Sequence, residues 1–242
     1  MIVKTKAIVL NKVKYSDSGI IVNLYTQNYG RISAIVKGTR ARKSNVKSYA
    51  FEILNILNIE LDYKVNRNLQ TLREAVLTKP LYQTHLHPEK AAICFFIAEI
   101  LGKSLIEQEA SPEIFEYISS SINELEEIKV EFYNFHLSFL VHLLSFLGFK
   151  PSQNFCNETP YFNIREGMFL PIFTNDNDSF DINQSKLFNE LSFINPIDSG
   201  KIKINNTARR EILCKILEFY RFHIPGFGNI KSLNVLHELF NT

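Results

Sequence analysis

The sequence has little of several things, and each shortage argues against a class of protein. Its 242 residues contain no Trp and only nine Gly, eight Pro and three Cys. No apolar run reaches about 18 residues, so no membrane-spanning helix is predicted. The first residues lack the hydrophobic stretch and small-residue cleavage site of a secretory signal. Cys94, Cys156 and Cys214 are too few and too far apart for a disulfide framework, which indicates reduced thiols in a cytoplasmic protein.

Motifs for nucleotide cofactors and for catalysis are also missing. Neither GxxxxGK(S/T) nor GxGxxG occurs, so neither ATP nor a dinucleotide is indicated, and we expect no cofactor. His85 and His87 have no nearby cysteine or matching carboxylate, and such a pair alone does not make a zinc site. The carboxylates of Glu124, Glu126 and Glu127 are typical of a solvated helix face. We therefore predict a protein that is not an enzyme and binds no metal.

Negative charge is absent from one long segment. Between Asp17 and Glu52 the sequence has no carboxylate, whereas "NYGRISAIVKGTRARKS", residues 28–44, carries five cations. Residues 1–80 hold 14 Lys and Arg against 5 Asp and Glu, and the other 162 residues hold 13 against 20. This partition, hidden beneath a net charge of +2, indicates a first part built for a polyanion. A solvated basic face would give the same composition.

The first eighty residues alternate apolar and polar side chains with the period of β-strands. Such runs lie at residues 4–13, 20–25, 32–37, 57–62 and 69–77. Five short strands in about 80 residues, with no helical period among them, favour a small Greek-key barrel such as the OB-fold. Other small barrels fit the same pattern.

From about residue 81 the apolar spacing becomes helical. Ser111 and Pro112 predict a helix start, because a capping hydroxyl is followed by proline at the first helical position. Residues 130–147 are apolar on most sides, which predicts a central bundle helix that Gly148 ends. Further helices are expected at 89–107, 184–193, 207–223 and 232–240.

The predicted fold class is α+β with two domains. An OB-fold β-barrel at 1–80 precedes an all-α helical domain at 81–242. The helical domain contains an irregular excursion at about 151–183, a segment rich in Asn, Asp and Pro.

Several short motifs follow one another in a fixed order. They are "AIVL" at 7–10, "YSDS" at 15–18, "YT" at 25–26 with "GRI" at 30–32, and "KGTR" at 37–40 with Ser44. "NLQTLREAVLTKPL" at 68–81 and "LEFYRFHIPGFGNIKSLNVLHEL" at 217–239 extend the pattern to the end of the chain. Together these segments resemble the RecO family of recombination mediators. The resemblance is close in the N-terminal part of the chain and looser in the C-terminal part.

The resemblance implies a non-enzymatic mediator of DNA repair and homologous recombination. Such a protein binds single- and double-stranded DNA through its OB-fold and anneals complementary strands. With RecR it helps to load the recombinase RecA onto DNA coated by single-stranded-DNA-binding protein (SSB). A groove in the family's helical part takes the acidic, hydrophobic-ended tail of SSB. We expect these partners here, and a cytoplasmic, nucleoid-associated protein.

Seven cations are assigned phosphate contacts. The resemblance places four in the family's basic loop and one in its hairpin, and two more are added on charge alone. In that order they are Lys37, Arg40, Arg42, Lys43, Arg31, Lys12 and Lys14. Tyrosines lie among them and offer stacking surfaces for bases, although each is more often packed within a barrel. These are Tyr15, Tyr25, Tyr29 and Tyr49.

The chain departs from the family at one place. Many members carry two cysteine pairs after a G-F-x-P segment, spaced for zinc. Here Cys156 has Thr159 where its partner would stand, and the second pair is replaced within "REGMFLPIF". One thiol cannot make a tetrahedral zinc site. We expect an excursion without zinc, held instead by packing of Phe155, Tyr161, Phe162, Phe169 and Phe173 on the helical bundle.

Two other functions stay open at this point. The chain could be a protein-interaction scaffold whose barrel no longer binds nucleic acid, or a metal-dependent hydrolase, which would need bound metal and turnover. The groove for the SSB tail has no motif to locate it, and Lys90, Lys103 and Lys215 are candidates on charge.

Overall fold

The chain begins with a closed five-stranded barrel. The computed structural model describes residues 1–16, 19–37, 48–106 and 109–240. The strands are β1 (Ile2–Lys14), β2 (Gly19–Thr26), β3 (Gly30–Lys37), β4 (Ile56–Asp62) and β5 (Leu69–Leu77). They close in the order β1-β2-β3-β5-β4, with β3 and β5 parallel and every other neighbouring pair antiparallel. The predicted OB-fold and all five predicted strands are confirmed.

Closure depends on the length of β1. This strand has 13 residues, of which Ile2–Ile8 pair with β4 and Ala7–Lys14 pair with β2. The register with β2 shifts between Val9 and Asn11. An extra residue at such a point bends a strand and increases its twist. One bent strand therefore serves both of its neighbours.

Alternating side chains fill the barrel, as the period of two predicted. Val22 and Leu24 of β2 and Ala34 and Val36 of β3 are fully buried. Phe51, from the 3₁₀ turn Ser48–Phe51, joins the same core. Burying a side chain of this size stabilises the fold by roughly 1.5–3 kcal/mol relative to leaving it exposed.

Helices make up most of the remaining chain. They are α1 (Tyr82–Leu86), α2 (Pro88–Ser104), α3 (Pro112–Glu127), α4 (Phe135–Phe146), α5 (Ile182–Phe193), α6 (Asn206–His223) and α7 (Leu233–Leu239). A 3₁₀ turn, Pro196–Lys201, lies between α5 and α6. The Ser111 hydroxyl accepts a hydrogen bond from the Ile114 N–H at 3.3 Å, which confirms the predicted start of α3. Across the described residues, no helix combines the length and apolarity needed to cross a membrane.

The central helix starts later than its apolar pattern predicts. The prediction of a helix from residue 130 is wrong, because Glu131 has φ +57° and α4 begins at Phe135. The Asn134 side chain stabilises the turn before α4 by donating hydrogen bonds to Ser199 O at 3.2 Å and to Ile202 O at 2.8 Å. The predicted end is confirmed, since Gly148 has φ +85° just beyond the helix. Glycine reaches that conformation without steric penalty.

The excursion after α4 is built around aromatic contacts. Phe162 is fully buried and lies 4.5 Å from Phe188 of α5 and 5.5 Å from Phe219 of α6, measured between ring centroids. The predicted packing on the bundle is thus confirmed for Phe162. Phe169 lies 5.1 Å from Phe162 and 5.2 Å from Phe155, and Tyr161 lies 5.5 Å from Phe173, so the other four pack within the excursion. A short hairpin, β6 (Tyr161–Asn163) and β7 (Met168–Leu170), was not predicted, since three-residue strands carry no measurable period.

One of the predicted solvated carboxylates is buried. Glu126 of α3 is 6% exposed and accepts hydrogen bonds from the Gln83 N–H at 2.7 Å and from the Thr84 N–H at 2.9 Å. The Thr84 hydroxyl adds a third at 2.7 Å. The prediction fails for Glu126 because these donors lie 42 and 43 positions away in sequence. Its carboxylate satisfies free N–H groups at the start of α1.

Contacts divide the chain into two compact units. The first comprises Met1–Glu126 with Ile230–Ser232, and the second comprises Glu127–Asn229 with Leu233–Thr242. The first three helices thus group with the barrel. The predicted domain boundary at residue 80 falls between the last barrel strand and the first helix, and it stays a prediction.

Glu99 of α2 holds the segment Ile230–Ser232 in the first unit. Its carboxylate accepts from the Lys231 N–H at 2.9 Å, from the Ser232 N–H at 2.8 Å and from the Ser232 hydroxyl at 2.7 Å. Burial alone would raise the pKa of this carboxyl. The three donors and the charge of Lys103 outweigh burial and hold the pKa below the ordinary value of 4.5.

Replacing Glu99 by Gln should remove a pH-dependent part of the stability. Because the folded-state pKa lies below the unfolded one, the contribution is complete above the unfolded pKa and is lost as pH falls through the folded pKa. We expect Glu99→Gln to melt below the wild type at pH 7, with the difference shrinking as pH falls below about 4.5. Thermal melts with Glu116→Gln, an exposed carboxylate on α3, provide the control. A difference independent of pH would contradict the assigned role.

Candidate nucleic-acid interface

Three of the seven assigned cations lie outside the described residues. These are Arg40, Arg42 and Lys43. The other four lie on β1 and β3 of the barrel, at Lys12, Lys14, Arg31 and Lys37. Their phosphate contacts stay predictions, and the surroundings of these four differ from one another.

Lys14 and Lys37 lie at the same end of the barrel, on the two strands that flank β2. Lys14 pairs with Ile20 and Lys37 pairs with Gly19, two successive residues of β2. Because neighbouring strands lie about 4.8 Å apart, the two backbones are roughly 10 Å apart across β2. Both lysines are exposed, and in the described part of the chain neither has an ion-pair partner.

Lys12 and Arg31 already have partners within the fold. The Lys12 ammonium lies 2.6 Å from a Glu52 carboxylate oxygen in a surface ion pair. The Arg31 guanidinium donates through Nη1 to Gly102 O at 2.7 Å and to Leu105 O at 3.4 Å. Both carbonyls stand at the carboxyl end of α2, where a cation complements the helix dipole. Arg31 thus has a structural role that its place in the hairpin did not reveal.

The four tyrosines divide equally between surface and interior. Tyr15 is 60% exposed and Tyr49 is 64% exposed, so both can offer a ring face to solvent. Tyr25 is buried, stacks 6.4 Å from Phe115 and has a pKa raised chiefly by burial. Tyr29 is half-buried against Tyr63, at 4.6 Å between ring centroids. Tyr15 and Tyr49 are thus the two of the four whose rings are mostly exposed.

The loop between β4 and β5 adds two exposed cations, Lys64 and Arg67, that escaped prediction. Each is a single basic residue among neutral neighbours, so neither forms a charge run. The parallel pairing of Ser33 with Leu69 places the end of this loop beside β3. Strand pairing, rather than sequence spacing, therefore shows that the loop carrying Lys64 and Arg67 ends beside β3 of the β2–β3 hairpin.

The three lysines considered for the SSB tail are engaged elsewhere. Lys90 is 1% exposed, donates to Glu126 O at 3.2 Å and has a pKa lowered chiefly by burial. Lys103 lies 3.9 Å from Glu99. Lys215 donates to Asp176 O and pairs with Glu218 at 3.0 Å.

A different basic pocket lies within the second compact unit. Arg209 and Arg210 line it together with Leu213, Leu236 and Phe240. The Arg209 guanidinium donates to Asn134 Oδ1, Asn206 Oδ1 and Ile204 O, all of them uncharged acceptors. Its positive charge is therefore not neutralised by these contacts.

Two histidines stand in the same pocket, His136 and His237. His136 is fully buried, and burial, with the nearby Arg209 and His237, lowers its pKa to about 3. It is thus a neutral core histidine at ordinary pH. His142, on another face of α4, lies 2.9 Å from Ile194 O through Nε2.

The residues around Cys156 do not fit a zinc ion. The Cys156 sulfur lies 3.1 Å from the Thr159 hydroxyl, which itself donates to Asn154 O at 2.6 Å. Asn154 continues the network by donating to Phe169 O at 2.8 Å and accepting from the Phe169 N–H at 3.0 Å. A single thiol with a hydroxyl neighbour lacks the donor set that structural zinc requires. Among the residues described, no group of three His, Cys, Asp or Glu could hold a metal.

Comparisons with known proteins cover both parts of the chain. Residues 1–81 match the family model described as Recombination protein O N terminal, and residues 85–233 match Recombination protein O C terminal. Similar proteins include the DNA repair protein RecO of Bacteroides fragilis, 35% identical over 242 residues. Those of Azobacteroides pseudotrichonymphae and Flavobacterium psychrophilum are each 32% identical. All three matches cover 100% of both chains.

Removing the guanidinium of Arg31 should weaken the fold. In Arg31→Gln, the two carbonyls at the end of α2 lose a charged donor, and we expect a loss of about 1 kcal/mol in unfolding free energy. For a chain of this size that corresponds to a fall in Tm of about 2–4 °C. Lys37→Gln, on the same strand and exposed, should leave Tm unchanged. Equal Tm values for both variants would refute the capping role.

Stability of the excursion should depend on Thr159 more than on Cys156. Thr159→Val removes the donor to Asn154 O and should lower the free energy of unfolding by about 1 kcal/mol, whereas Cys156→Ser should melt as the wild type does.

Metal analysis of the purified protein after dialysis should find less than stoichiometric zinc. Stoichiometric zinc that is lost in Cys156→Ser would overturn this interpretation.

Proposed function

The chain belongs to the RecO family of DNA repair proteins, and on that premise we propose that it is a non-enzymatic recombination mediator. It binds single- and double-stranded DNA with its barrel and anneals complementary strands. Together with RecR it helps to load RecA onto DNA coated by SSB. It acts in the cytoplasm, at the nucleoid.

The observation that carries this proposal is a set of exposed cations on the OB barrel, with Lys14 and Lys37 at the ends of β1 and β3 and with Lys64 and Arg67 in the β4–β5 loop beside the start of β3. Lys14, Lys37, Lys64 and Arg67 are exposed, and none has an ion-pair partner among the residues the structure describes. Arg40, Arg42 and Lys43 lie within six residues after Lys37 in the sequence. Cations held on a rigid barrel position a phosphate backbone without reading its bases. Such contacts suit a mediator that must act on any sequence.

The basic pocket at Arg209 and Arg210 supports the partnership with SSB. An acidic peptide with a hydrophobic end needs cations beside an apolar surface. The pocket supplies both, since Leu213, Leu236 and Phe240 lie next to the two arginines. The cavity itself is only about 10 Å³, so we propose that the SSB tail lies across the surface at these arginines rather than inside the cavity.

Strand annealing by the purified protein tests the proposal. Wild-type protein should accelerate annealing of two complementary oligonucleotides, both naked and coated with SSB. If about five phosphates are neutralised, affinity for a single strand should fall with log salt at a slope of about −3.5. Replacing Lys37, Arg40, Arg42 and Lys43 together by Glu should abolish binding and annealing.

A matched variant controls for the change of eight charges. Lys129, Lys150, Lys186 and Lys201 are exposed residues of the second compact unit, and their replacement by Glu should leave annealing of naked strands intact. Unchanged annealing after reversal of the barrel cations would favour the scaffold alternative. Loss of annealing in both variants would show that total charge, rather than the barrel, is responsible.

A further inference from the structure

A small polar cavity lies between the start of β3 and the β4–β5 loop. Its volume is about 170 Å³. Because a water molecule takes about 30 Å³ of liquid, the cavity holds several waters, and it is smaller than the roughly 300–1,000 Å³ of sites for drug-sized ligands. Six of its lining residues carry the argument below, namely Tyr29, Arg31, Ser33, Tyr63, Arg67 and Asn68. The space suits one small flat group with an attached anion.

The loop that forms one wall is fixed by Gln70. This side chain is 4% exposed, and its Oε1 accepts from the Lys64 N–H at 2.9 Å. Its Nε2 donates to Lys64 O at 3.0 Å and to Arg67 O at 2.6 Å. Three bonds from one buried amide hold the backbone on both sides of the turn. The backbone of the β4–β5 loop therefore holds its conformation without a ligand.

The charge lining the cavity is positive. Arg31 and Arg67 both reach it, and no described lining residue is a carboxylate. Arg31 is anchored through Nη1 to the end of α2, which leaves its remaining N–H groups for another acceptor. Arg67 is exposed and has no ion-pair partner in the described part of the chain. An anion in the cavity would meet one anchored and one adjustable guanidinium.

The opposite wall is aromatic with a polar edge. Tyr29 and Tyr63 are half-buried and lie 4.6 Å apart, tilted by 42°. Asn68 offers an amide with both donors and acceptors, and within the described residues it has no hydrogen-bond partner. Ser33, by contrast, already donates to Asn23 Oδ1 at 2.6 Å. A ring system with hydrogen-bonding groups on its edge matches this surface.

We propose that this cavity receives one unpaired nucleotide of a DNA strand, with its base against the tyrosine pair and its phosphate at Arg67. The inference rests on the proposed function and deepens it, because it gives the barrel a preference for single strands. In a duplex every base is paired and stacked, so none can enter without unpairing. Asn68 meets the edge of the inserted base, and Gln70 acts as a positioning residue for the loop.

Two matched pairs of variants test the cavity in the full-length protein. Asn68→Ala changes the lining, whereas Asn66→Ala changes the exposed tip of the same loop, and neither alters the charge. Arg67→Ala removes a lining cation, whereas Arg73→Ala removes an exposed cation of β5 that does not line the cavity. Fluorescence anisotropy measures the affinity of each protein for three DNA ligands. They are a 15-nucleotide oligo(dT), a duplex of equal length and an abasic strand of equal length. Thermal melts check that all four variants fold.

Wild-type protein should bind oligo(dT) several-fold more tightly than the abasic strand, because base stacking contributes beyond phosphate contact. Asn68→Ala should weaken oligo(dT) binding about fivefold or more, with less than about a twofold effect on the duplex. Arg67→Ala should weaken binding of both ligands, and the loss for oligo(dT) should be at least about twofold larger than the loss for the duplex. Asn66→Ala should have no effect. Arg73→Ala should weaken both ligands slightly and equally.

Three results would overturn the cavity assignment while leaving DNA binding intact. They are equal affinity of wild type for oligo(dT) and the abasic strand, an equal loss for both ligands in Arg67→Ala, and no effect of Asn68→Ala. Absence of wild-type binding to any of the three ligands at low salt would instead refute the proposed function. Competition by an acidic peptide without bases, in place of DNA, would assign the cavity to a protein ligand.

Discussion

The parallel pairing of β3 with β5 is the constraint on which the candidate interface depends. Only Ser33, Ala34 and Ile35 take part, opposite Leu69, Gln70 and Thr71. This short contact closes the barrel and brings the β4–β5 loop against the start of β3. It also sets Gln70 where its amide can bind the loop backbone. Without closure, Arg31 and Arg67 would stand on separate edges of an open sheet.

The described cations of the barrel fall into two groups, which differ in whether they have partners within the fold. Arg31 and Lys12 stabilise the fold by binding the end of α2 and Glu52. Lys14, Lys37 and Arg67 have no such partner in the part of the chain that the structure describes. A surface ion pair contributes little to stability, typically about 0–1 kcal/mol. The absence of an ion-pair partner for Lys14, Lys37 and Arg67 therefore lowers the stability of the fold only slightly.

Local patterns in the sequence predicted the elements well. The alternation along residues 20–25 and 32–37 has one physical cause, a strand with one buried face, and both strands formed where expected. The capping hydroxyl of Ser111 acts within three residues, so its effect could be predicted. The start of α4 could not, because Asn134 interacts with Ser199 and Ile202, 65 and 68 positions away.

The site was harder to predict than the fold for the same reason. Arg31 finds its acceptor 71 positions away in sequence, and Glu126 finds its donors 42 and 43 positions away. Net charge shows that a segment is basic, but it does not show which cations the fold already uses. Arg67 joins the cavity only through strand order, which is a property of the closed barrel.

Mapping backbone amide hydrogen exchange with and without oligo(dT) tests the central claim most directly. The account predicts that protection on binding concentrates at residues 29–37 and 63–70, on the two sides of the β3–β5 contact. Protection confined to residues 127–229, or spread evenly over the chain, would contradict it.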